Sequence, residues 1–91
     1  MEDGTYLNLD GDFKRINATT GYWVAIEPAL PSQIVSGQYL GVWTDSKDGK
    51  PYYDRTVWIS DLDDALAVGK QRDQIAIWDC ANECEIYIQY P

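Results

Sequence analysis

Short runs in which branched aliphatic and aromatic residues alternate one by one, each closed by a turn signal, constrain this chain most. They occupy residues 22–26, 38–44, 52–59, 74–79 and 85–90. A period of two puts successive side chains on opposite faces of a strand, whereas a helix repeats every 3.6 residues. Splitting the runs accordingly gives one set of Val24, Ile26, Leu40, Val42, Val57, Ile59, Ile75, Ile77, Ile86 and Ile88. The other set is Trp23, Tyr39, Trp43, Trp58, Trp78 and Tyr87. The pattern predicts a sheet with one aliphatic and one aromatic face.

The punctuation orders these strands. Asp48-Gly49 between residues 38–44 and 52–59 predicts a hairpin. Asp10-Gly11-Asp12 predicts a tight reversal between short extended pieces at 6–9 and 13–16, and two prolines make 28–37 an irregular connection. One segment changes period. Ser60 stands three residues before Asp63, and Leu62, Ala65, Leu66 and Gly69 recur at helical spacing, which predicts a helix over about 61–70. Asp61, Asp63 and Asp64 sit at its positive end, and Lys70 and Arg72 at its negative end. The expected fold is therefore α+β: an antiparallel sheet of about four to six short strands, with the helix packed on the aliphatic face through Leu62, Leu66 and Val68. Ninety-one residues leave room for one domain around one core.

A single helix covers only one face, so the aromatic set lacks an obvious cover. Those rings can shield the backbone and pack across strands. They can also meet a partner or a second copy, since Trp and Tyr bury much area at interfaces. A third arrangement folds residues 6–16 over them.

Fifteen Asp and Glu oppose seven Lys and Arg, and there is no His, for a net charge of −8. That balance disfavours direct nucleic-acid binding, attracts basic partners and also aids solubility. Ser-His, Cys-His and His-ligated metal chemistry are excluded. The Asp61–Asp64 carboxylates read as helix caps rather than an acid and base pair, and residues 45–49 as a turn rather than a calcium loop. Cys80 and Cys84 flank the last reversal and are expected to be free thiols. No catalytic residue, cofactor or metal site is assigned. Apolar stretches reach only four or five residues, as at 22–26, against the roughly 20 of a membrane span, and no signal segment is evident. A cytoplasmic, non-enzymatic protein is expected.

Residues 40–45, 53–57, Asp61-Leu62, Ala65-Leu66, 73–79 and Glu85-Ile86 together resemble small uncharacterised proteins of actinobacteria and their phages. The resemblance covers about half the chain and carries no catalytic residue. In size and charge, though not in sequence, the chain resembles small acidic phage inhibitors of bacterial defence, of anti-CRISPR type. That likeness implies an inhibitor docked on the nucleic-acid-binding groove of a basic host protein such as a CRISPR effector. Asp54, Asp61, Asp63, Asp64, Asp73, Glu83 and Glu85 would meet its cations, with aromatic anchors between them. The competing expectations are a homodimer or interaction module built on the aromatic face, and a small-ligand-sequestering protein using the same rings.

Overall fold

The computed structural model describes Met1–Pro91. Its elements are β1 (Gly4–Leu9), β2 (Asp12–Arg15), β3 (Tyr22–Pro28), a 3-10 turn at Pro31–Gln33, β4 (Tyr39–Thr44), β5 (Pro51–Ile59), α1 (Leu62–Gln71), β6 (Ala76–Asp79) and β7 (Cys84–Tyr87). The fold is α+β, a seven-stranded antiparallel sheet in the order β2-β1-β4-β5-β3-β6-β7 with one helix. The strand count exceeds the expected four to six. Asp10 (φ 52°) and Gly11 (φ 98°) make a two-residue turn of the hand that strand twist requires, which joins β1 to β2 as a hairpin. β1 then pairs with β4, Tyr6 opposite Leu40 and Leu7 opposite Tyr39. Residues 6–16 therefore lengthen the sheet beside β4 and do not fold over the aromatic side chains.

The chain divides into two compact units, Met1–Ile16 with Glu27–Thr56, and Asn17–Ile26 with Val57–Pro91. Each unit has its own cluster of buried residues.

In the first unit Tyr6, Ala29, Ile34, Leu40 and Val42 are buried, with Phe13 and Tyr53 packed against them. The buried Asn8 fastens the hairpin to the loop that follows the 3-10 turn. Its Nδ2 donates to the Ile34 carbonyl at 2.6 Å, and its Oδ1 accepts from the Gly11 N–H at 2.7 Å. Arg55 secures the same loop, donating to Gln38, Glu27 and the Gln33 carbonyl at 3.1, 2.9 and 2.6 Å. An amide and a guanidinium thus satisfy loop carbonyls that no ladder reaches.

In the second unit Val24, Ala65 and Ile77 are buried, surrounded by Val57, Ile59, Leu66, Val68, Ile86 and Ile88 among others. α1 approaches closely because it presents small residues. A Cβ on Gly69 would lie 2.7 Å from Ile88 Cδ1 and 3.0 Å from Ile77 Cγ2. The helix therefore seats through Ala65 and Gly69, and Leu62, expected in the core, is exposed. Its cap is Asp61 rather than Ser60, because the Asp61 carboxylate accepts from the Asp64 N–H at 3.0 Å. After α1 the backbone reverses at Asp73 (φ 55°) and β6 begins only at Ala76. Ile75 precedes the strand and is 76% exposed, so it leaves the aliphatic set.

Candidate functional site

In the first unit, strand register decides which side chains share the face turned away from the buried cluster. Tyr39, Gly41 and Trp43 of β4 stand opposite Thr56, Asp54 and Tyr52 of β5. The Trp43 and Tyr52 rings stack with centroids 4.7 Å apart and planes at 17°, and both are exposed. Trp43 Nε1–H donates to Asp54 Oδ2 at 3.2 Å, and the Tyr52 hydroxyl donates to Asp48 Oδ2 at 3.2 Å. Two rings are thus bracketed by two carboxylates.

Their protonation follows from these contacts. The hydrogen bond to Asp48 and that group's charge raise the Tyr52 pKa, so the phenol stays a donor. Burial raises the Asp54 carboxyl above the ordinary aspartate value, and the Trp43 N–H only partly opposes it. Asp54 therefore carries its charge at a cost to folding.

The adjoining hairpin loop uses its acids on its own backbone. Asp45 Oδ1 accepts from the Lys47 N–H at 2.7 Å and Asp48 Oδ1 from the Lys50 N–H at 2.8 Å. Beside Tyr52, residues 28–30 and Tyr53 bound a shallow, mostly apolar groove of about 300 Å³.

In the second unit, Trp23 of β3 stands opposite Trp78 of β6, and Trp78 opposite Glu85 of β7. Alternation puts this set on the face away from Ile77 and α1. Trp78 is 40% exposed and Tyr87 61% exposed, but Trp23 is 8% exposed and is not open surface. The Tyr87 phenol is raised by its hydrogen bond to Glu85 and by that group's charge. Trp58 is fixed. Its indole lies over Gly21, which has φ +75°, and Nε1–H donates to the Thr20 carbonyl at 2.8 Å.

The proposed acidic residues are not one cluster. Asp54 belongs to the first unit. In the second, Asp61 is committed to capping, while Asp63 and Asp64 lie exposed in the first turn of α1, on the helix side of the sheet. Asp73 and Glu83 occupy left-handed turn positions at φ 55° and 51°. Only Glu85 shares a face with exposed rings there. Charge is nonetheless concentrated, since the second unit holds seven carboxylates against two cations and the first eight against five.

Tyr52 and Asp48 join the site although they were not singled out from the sequence. The hairpin connection at residues 45–50 sets Tyr52 opposite Trp43, so its length was the available signal. Cys80 is buried and Cys84 exposed, both as free thiols. Burial and the neighbouring Asp79 push the Cys80 thiol pKa up, which reduces its reactivity. No group of three or more His, Cys, Asp or Glu is placed to hold a metal ion, and no helix is long and apolar enough to cross a membrane. No family model, curated protein or solved structure matches the chain.

Proposed function

We propose that this protein is a non-enzymatic binding module that engages a basic protein partner through rings interleaved with carboxylates. The observation that carries the reading is that exposed aromatic side chains and acids share one sheet face within each unit. Trp43 and Tyr52 lie between Asp54 and Asp48, and Trp78 and Tyr87 flank Glu85. An Arg guanidinium stacks on an indole or phenol face while donating to a carboxylate, so this composition suits cationic side chains better than apolar ones. A net charge of −8 would steer such a partner and repel phosphate backbones.

The finer reading is an acidic inhibitor, of phage or mobile-element origin, that occupies the nucleic-acid-binding surface of a host defence protein of CRISPR-effector type. Its support is the small size and acidic charge of the chain and surface acids able to replace phosphates, the resemblance to actinobacterial and phage proteins bearing on origin alone. The test is capture of basic nucleic-acid-processing proteins from a bacterial lysate by the purified protein, at low and high salt, with mass-spectrometric identification. Capture should fall at high salt and in Asp54→Lys and Trp43→Ala. Capture unaffected by salt and by both substitutions refutes the reading.

A further inference from the structure

We infer that β7 is an acceptor edge for an extended cationic segment of the partner, which joins the sheet as an additional strand. This rests on the basic-partner reading above and assigns it a place. β7 ends the strand order and pairs only with β6. The Ile88 N–H donates to the Ile75 carbonyl at 2.9 Å, which sets the phase of this antiparallel ladder. Hydrogen-bonded pairs alternate, so Ile86 and Cys84 turn their backbone groups toward Ile77 and Asp79. Glu85 and Tyr87 consequently point their N–H and C=O groups out of the sheet. These are also the two β7 residues whose side chains stand on the ring-bearing face. An added strand would hydrogen-bond to Glu85 and Tyr87 and set its opposing side chains beside their carboxylate and phenol.

The choice of occupant follows from charge. The opposite edge, β2, carries Lys14 and Arg15, a common protection against strand addition, whereas β7 reads Cys84-Glu85-Ile86-Tyr87 with neither Lys nor Pro. Pairing of β7 with its own copy would bring Glu83 and Glu85 of two chains into one short ladder, between molecules each of net charge −8. A strand with Arg or Lys at every second position meets the opposite condition, with a carboxylate at Glu85 and exposed rings at Trp78 and Tyr87.

The test uses a synthetic peptide of about ten residues alternating Arg with Val, and the same peptide N-methylated at alternate residues. Binding is measured by calorimetry and by amide hydrogen exchange. The expected result is slowed exchange at the Glu85 and Tyr87 amides, loss of binding on N-methylation, and affinity weakened about tenfold or more by Glu85→Lys. Tyr87→Pro removes an outward N–H that the β6 ladder does not use, and should abolish binding where Tyr87→Ala only weakens it. Binding that ignores N-methylation and leaves both amides unprotected overturns the strand-addition inference while the basic-partner reading stands. Absence of binding by this peptide, while basic proteins are still captured, overturns it in the same way. Concentration-dependent oligomers dissolved by Tyr87→Pro would assign the edge to a second copy and overturn it.

Discussion

Gly21 and Trp58 form a contact whose removal has a calculable cost. A Cβ at position 21 would lie 2.4 Å from Cε2 and Cζ2 of the Trp58 indole and 2.5 Å from Nε1, far inside any real contact. The indole is not a loose end, because Nε1–H is bonded to the Thr20 carbonyl at 2.8 Å. Gly21→Ala therefore forces Trp58 out of place, losing about 0.5–1.5 kcal/mol for the hydrogen bond and a similar amount for a distorted rotamer. The backbone adds to this. At φ +75° a side chain costs about 1–2 kcal/mol, offset by about 0.4–1 kcal/mol from the stiffer unfolded chain.

The net destabilisation expected is about 2–4 kcal/mol, a large part of the roughly 5–15 kcal/mol that holds a domain folded. Urea unfolding followed by far-ultraviolet circular dichroism reads it without relying on tryptophan emission. The decisive arm is Trp58→Ala, in which the clash cannot occur and Gly21→Ala should cost only about 1 kcal/mol. Equal costs in the two backgrounds would refute the contact as the cause.

Asn8→Ala leaves the Ile34 carbonyl and Gly11 N–H without their partner and should cost about 1–3 kcal/mol by the same urea assay. Gly69→Ala should overpack Ile88 and Ile77 and destabilise by about 1 kcal/mol despite better helix propensity, and Ile88→Val, which removes Cδ1 but leaves the Ile77 Cγ2 contact, should make the same substitution less costly. The Asp54 carboxyl has a raised pKa, so its ionised form weakens folding at pH values above that pKa, and the penalty is absent once the group is protonated in both states. Asp54→Asn should accordingly raise the urea midpoint near pH 7, with the gain vanishing toward about pH 3. A gain that persists there would place the effect elsewhere.

Much of this architecture is legible in the chain because strand alternation and turn chemistry are local. The reversal at Asp48-Gly49 and the change of period after Ser60 locate the central hairpin and α1 to within a residue or two. The separation of Leu40 and Val42 from Tyr39 and Trp43 also follows, since adjacent residues of a strand must face opposite ways. Pattern alone does not say how closely elements approach. Leu62 is the larger apolar residue, yet α1 seats through Ala65 and Gly69, because two small residues let the helix lie against Ile77 and Ile88 at short range.

The candidate site divides along the same line. Composition and alternation determine that this is an acidic chain whose four Trp residues alternate with the aliphatic positions of its strands. Which of those rings meets solvent is a tertiary outcome: Trp23 is 8% exposed and Trp78, directly opposite, is 40% exposed. Trp58 is tied to Thr20, and Tyr52 joins Trp43 through hairpin register. The acids separate likewise, Asp61 into a helix cap and Asp54 beside an indole. A residue's face is set by its immediate neighbours along the strand. Its exposure and its partner are set by segments that arrive from elsewhere in the chain, and only the folded structure brings those together.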